Sequence, residues 1–257
     1  MPQLTDEQVE KFLNNFFQGE PENDEKRAIS RESSFDYCLN YFRNFHEQGN
    51  LPALLKPPHL QEACLHLAAY LASWGMYRGK SMLLQRSARQ YVPLVEVIVN
   101  ADSRVWTLDV DSYTRENFDL LVNLERQVCD ALEGKNERKP TITLTTKVML
   151  GVFGNIPAID TFVYNGLNAV QGVRADKLNE RTRQARVNFY DAHKTVFDAY
   201  AVRTVDFDTE QPTHRVYPKA KLVDMALFMH GTPPARRSWK PNTGEATPRT
   251  PAQTAEC

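Results

Sequence analysis

The sequence predicts an all-α protein, a compact multi-helix orthogonal bundle over residues 1–230 followed by a flexible tail over 231–257. Three observations predict it. Apolar residues recur at three- and four-residue spacing through most segments before residue 230, which is the pattern of helices with one buried face. Glycine and proline punctuate these segments where helices should stop. After Gly231 the composition changes, with five prolines and five threonines in the last 27 residues and few large apolar groups. Such a stretch buries too little surface to offset the entropy of ordering it.

The elements follow in order. Thr5 and Gln8 form a capping-box pattern, the threonine accepting from the backbone and the glutamine reaching back. Val9, Phe12, Leu13, Phe16 and Phe17 then share one helical face, and Gly19 and Pro21 close the helix. The charged stretch Glu20 to Glu32 reads as a loop. A second helix starts near Ser33 or Ser34, carries Phe35, Cys38, Leu39, Phe42 and Phe45 inward, and ends at Gly49-Asn50. Pro52, Pro57 and Pro58 predict an extended connection.

A central helix is expected from His59 to Met76, with Leu60, Cys64, Leu67, Ala68 and Leu71 as its buried stripe. Tyr77 to Ser81 reads as a turn, Met82 to Tyr91 as a further helix that Pro93 to Val99 extends with a kink, and Trp106 to Asp111 as a short extended piece. Phe118, Leu121, Leu124, Val128 and Leu132 define another amphipathic helix. Gly134 closes it, and Lys135 to Lys139 connects it onward. Thr141 to Phe153 and Ile156 to Val170 read as two short helices around Gly154-Asn155, Ala175 to Tyr200 as one long helix, and Lys219 to Met229 as the last.

Composition limits the function. The 257 residues carry a formal net charge of −1, so bulk charge does not mark a nucleic-acid binder, and any phosphate-contacting surface must arise from local clustering. Cys38, Cys64, Cys129 and Cys257 are far apart, without the paired spacing of a zinc site. They read as reduced thiols of a cytoplasmic protein, and neither a metal nor a cofactor is expected. The start of the chain lacks the basic and apolar runs of a signal peptide, and the longest apolar stretch, Leu65 to Met76, is too short to span a bilayer. His66 and His193 have no ligand-spaced partner and read as core or boundary histidines.

One segment stands out: Phe153-Gly154-Asn155-Ile156-Pro157-Ala158-Ile159-Asp160-Thr161-Phe162-Val163. It places a carboxylate among apolar neighbours near a helix start. A desolvated carboxylate there can act as a base or stabilise positive charge. It can equally cap the helix and favour its dipole.

This segment resembles the part of helix-hairpin-helix DNA glycosylases in which a proline and a short apolar step precede the catalytic aspartate and Thr-His-Val. The resemblance implies an all-helical fold, Asp160 in the place of the catalytic carboxylate, and DNA or RNA as a partner, with glycosylase activity degenerate or absent. Phe162 stands where that family carries histidine. The stretch Lys139 to Lys147 has none of the glycines of the family's hairpin, and Lys147 precedes Asp160 by 13 residues, closer than the family's lysine nucleophile. Lys147 is thus a second, weaker catalytic candidate. Arg78 and Lys80, and Arg174, Lys177 and Arg181 on an expected helix face, are the candidate phosphate contacts. A non-enzymatic helical protein that binds a protein partner is the alternative.

Overall fold

A computed structural model describes residues 4–17, 23–133 and 139–233. Eleven α-helices and one two-stranded hairpin lie among them, so the all-α expectation holds apart from that hairpin. The tail expected from 231 falls outside the described residues beyond Pro233, as do Gly19, Pro21 and the connector 134–138. No helix among the described residues is long and apolar enough to cross a membrane.

The first helix, α1 (Asp6–Phe16), begins with the expected capping box, Thr5 and Gln8 exchanging side-chain and backbone hydrogen bonds. A short α2 (Asp24–Ala28) lies in the stretch expected to be a loop. Asn23 caps it and its arginine gives it a purpose. Arg27 reaches the buried carboxylate of Asp36 at 3.2 Å and the carbonyl of Arg203 at 2.7 Å. Asp36 sits on α3 (Ser33–Glu47), whose inward residues Phe35, Cys38, Leu39 and Phe42 are buried as their spacing predicts.

The proline-rich connection is not extended. Residues Leu51–Leu55 form a 3-10 helix with Pro52 in its first turn, where a missing N–H costs nothing. The central helix α4 (His59–Ser73) buries Cys64, Leu67, Tyr70 and Leu71. The helix expected over Met82 to Tyr91 is absent: turns lead to a 3-10 segment, Ala88–Tyr91. Helix α5 (Val92–Val99) starts afresh, with Pro93 in its first turn. Trp106 to Asp111 is likewise not extended but lies in two 3-10 turns, Ser103–Trp106 and Val110–Ser112. Helix α6 (Arg115–Glu133) buries all five residues of its predicted stripe.

Helix α7 (Ile142–Phe153) ends at Gly154, whose φ of 65° is the left-handed conformation that glycine adopts without strain. Arg43 of α3 donates to the carbonyls of Phe153 and Trp106, satisfying the end of α7. Helix α8 (Thr161–Gln171) begins later than its apolar pattern suggested, because Asn155 to Asp160 run non-helically into its N-terminus. The long helix expected over 175–200 is two, α9 (Glu180–Ala192) and α10 (Lys194–Ala199), broken at His193. His193 is buried and pairs with Asp6 at 2.6 Å.

The hairpin β1 (Arg203–Val205) and β2 (Pro212–Val216) is antiparallel with an irregularity between its two registers. It docks on α3 through Asn40, which donates to Val205 and accepts from Thr204. The last helix, α11 (Lys219–Gly231), is buried almost throughout. Its first N–H groups are capped from a distance, since Asp109 accepts from Lys219 at 2.7 Å and Ala220 at 2.6 Å. Burial pushes the Asp109 carboxyl up to about 6.

Helix α11 crosses α8 at close range. A Cβ on Gly166 would meet the backbone of Leu227, and one on Gly231 the backbone of Phe162. These two glycines set the separation of the helices and so fix where α8 begins relative to α11.

Candidate functional site

The structure joins the two catalytic candidates. Lys147 Nζ donates to Asp160 Oδ2 at 3.2 Å, with side chains only 6% and 16% exposed. The other oxygen of Asp160 accepts from the backbone of Phe162 and Val163, each at 2.9 Å. Asp160 is therefore both the N-cap of α8 and the partner of a buried amine. The capping role that the sequence allowed is present, and the same carboxylate also holds the amine because its two oxygens have different partners.

The run before Asp160 is pinned to three places. Thr143 Oγ1 donates to the Ile159 carbonyl at 2.7 Å, and the Ile159 N–H donates to Thr146 Oγ1 at 2.9 Å. The Ala158 N–H donates to Asp224 Oδ1 at 3.0 Å. Thr143, Thr146 and Lys147 all come from α7, and Asp224 comes from α11. Ile156, Ala158, Ile159 and Val163 are buried around it.

A second ion pair lies behind the first. Lys221 Nζ donates to Asp224 Oδ2 at 3.3 Å, and both side chains are nearly sealed from solvent. The ammonium of Lys221 sits 4.8 Å from the ring centres of Phe16 and Phe35 and 4.9 Å from that of Trp74. Lys147 Nζ lies 5.3 Å from the same Trp74 ring, and the Arg31 guanidinium 4.7 Å. Such distances fall within the range of cation–π attraction. Burial lowers the tendency of Lys221 to hold its proton and raises that of Asp224, with each other's charge opposing the change.

Trp74 thus gathers three cations, and Phe16 stacks against it at 6.1 Å. Trp74 is the C-cap of α4, so the length of that helix decides where the indole stands. Its neighbour Tyr70 is buried, and Gly151 of α7 leaves the room its ring occupies.

The basic candidates divide into two groups. Arg78 and Lys80 are exposed in the turn just after Trp74, and the Arg78 guanidinium folds back beside Gly75. Arg174, Lys177 and Arg181 are also exposed. They do not share a helix face: Arg174 and Lys177 precede α9, and only Arg181 lies on it. Arg181 donates to the Gly172 carbonyl. This second group stands past the C-terminus of α8, about 16 Å along the helix from Asp160 at 1.5 Å per residue.

Cys129, Asp130 and Glu133 of α6 have ligand-type atoms within 4.8 Å of one another. They lie on a different helix from every member of the Lys147–Asp160 cluster. Cys38, Cys64 and Cys129 are unpaired thiols in buried positions. Comparison with protein-family models, with curated proteins and with solved structures finds no match for this chain.

Sequence reasoning missed Lys221 and Asp224. The signal was present as a lysine and an aspartate three apart in the otherwise apolar run Ala220 to Met229. Both charges then fall on a helix too apolar to leave them solvated.

Proposed function

We propose that this protein associates with nucleic acid and that the Lys147–Asp160 pair is its working site, in the manner of a base-excision enzyme. The observation that carries this reading is the buried amine at 3.2 Å from a carboxylate that is itself fixed by a helix N-terminus. A carboxylate so held is suited to stabilise the positive charge that develops on a deoxyribose as its base departs. Lys147 supplies the adjacent amine. The Trp74 ring lies 5.3 Å from the same amine, and Arg78 and Lys80 follow it along the chain for phosphate contact.

The experiment is binding to fluorescent single- and double-stranded oligonucleotides over a salt series, with one set carrying an abasic site. The reading expects affinity that falls steeply with salt, and a slope that shrinks by about 0.9 for each phosphate contact removed in Arg78→Ala or Lys80→Ala. Absence of binding at low salt rejects it. Borohydride trapping on the abasic duplex then separates a reactive Lys147, which gives a covalent adduct lost in Lys147→Ala, from a site that binds without reacting.

A second reading has its own support. Both Asp160 oxygens are already occupied within the chain, which fits a clasp between α7 and α8 in a non-enzymatic helical protein that binds another protein. Pull-down with the intact chain is its test if oligonucleotides fail.

A further inference from the structure

We infer that Asp224, held by Lys221, is a positioning residue that sets the Asp160 carboxylate against the Lys147 amine. The inference rests on the reading of Lys147 and Asp160 as the working pair of the site.

The geometry makes the connection short. Asp224 accepts the Ala158 N–H through one oxygen and the Lys221 ammonium through the other. Ala158 is two residues from Asp160, and Ile159 between them is held by Thr143 and Thr146 of α7. The non-helical run is therefore clamped between α7 and α11, and its next residue is the helix cap. Removing the α11 side of the clamp frees the backbone that aims Asp160.

Lys221 has a separate task. A lone carboxylate this deeply buried would take up a proton, since desolvation already raises its affinity for one. As an acid it would lose one of its acceptor sites. The Lys221 ammonium opposes that, and it is stabilised in turn by the faces of Phe16, Phe35 and Trp74. Lys147 and Lys221 meet at one indole ring, so the two ion pairs form a single cluster spanning α4, α7, α8 and α11. A pair kept only for packing has no need to share an aromatic neighbour with the amine of the site.

The test reads Lys147 directly and uses no nucleic acid, so its failure is distinct from failure of the nucleic-acid reading. The intact protein is treated with formaldehyde and borohydride at pH 8, and methylation of Lys147 is followed by peptide mass spectrometry. A nearby carboxylate favours the unreactive ammonium. Asp160→Asn sets the rate expected when that carboxylate charge is gone. Asp224→Ala is expected to approach it, with labelling several-fold faster than in the parent. Asp224→Asn retains an oxygen for the Ala158 N–H and is expected to bring the rate back toward the parent.

Asp224→Ala strands a buried lysine and can fail to fold. The double variant Lys221→Met/Asp224→Ala removes both charges while keeping a long side chain against the three rings, and it gives the same expected acceleration. Ile98→Ala, buried in α5 away from the cluster, is the control for general loosening and should leave the rate unchanged. The inference is overturned if Asp224→Ala, or the double variant where the single one fails to fold, labels Lys147 at about the parent's rate, or if Ile98→Ala accelerates Lys147 as much as they do.

Discussion

Replacing Asp160 separates its two roles energetically. In Asp160→Ala the N-cap of α8 is lost, which costs about 1 kcal/mol. Lys147 is left without a partner, and because its side chain is only 6% exposed and that of Asp160 only 16%, the pair counts as buried. Breaking a buried pair from one side costs about 3–5 kcal/mol, so the variant should lose roughly 4–6 kcal/mol, a large part of the stability of an ordinary domain. Asp160→Asn keeps a capping oxygen and should lose only the ion-pair part. Lys147→Met/Asp160→Asn removes the stranded charge as well and should recover to within about 1.5 kcal/mol of the parent, since apolar replacement of buried pairs is often neutral. Urea titration of the four proteins, with midpoints compared at unchanged slope, measures all three quantities. A loss below about 1.5 kcal/mol in Asp160→Ala would show that water reaches the pair freely and would refute the desolvated site.

Further outcomes follow from the same geometry. Gly231→Ala and Gly166→Ala each drive a methyl group into facing backbone between α8 and α11 and should each cost about 1–3 kcal/mol or more in thermal unfolding. Asp36 is fully buried and its carboxyl is pushed up to about 6 from 3.8, desolvation outweighing Tyr217 and Arg27. A raised carboxyl favours folding below the unfolded value and loses that contribution as pH rises through about 6. Asp36→Asn should therefore abolish a stability decline of about 3 kcal/mol between pH 4 and 7, at about 1.4 kcal/mol per unit, read by denaturation at each pH. Cys38 is buried and its thiol is shifted upward by desolvation, so a thiol reagent should modify it only at the rate of unfolding.

Much of the helical plan was legible because single periodic faces are long. The stripe from Phe118 to Leu132 spans a whole helix, and Thr5 with Gln8 announces the cap of α1 within four residues. Breaks set by distant partners were not legible. His193, at the break between α9 and α10, pairs with Asp6, 187 residues away, and the hairpin at 203–216 is fixed by Asn40 and Asp36 rather than by its own short strands. Met82 to Tyr91 has helical spacing yet turns, and tertiary context overrides local pattern there.

The candidate site was legible in part for the same reason. Asp160 is marked by local grammar, a proline run followed by a helix start. Its pairing with Lys147 depends on the Gly154 turn bringing the run 155–160 back against α7. Lys221 and Asp224 belong to a helix whose apolar faces hide both charges, and their part emerges only once α11 lies across α8. The remote cap from Asp109 onto α11 is another such case, since nothing near Lys219 in the chain supplies it.

The most direct test of the nucleic-acid site is protection of Lys147 by a bound strand. The protein is methylated at low salt with and without an abasic-site duplex, and Lys147 is compared with Lys194, an exposed lysine on α10 paired with Asp198. The account predicts that Lys147 methylation falls when the duplex is bound while Lys194 is labelled as before. Equal labelling of Lys147 in the free and duplex-bound protein would contradict it.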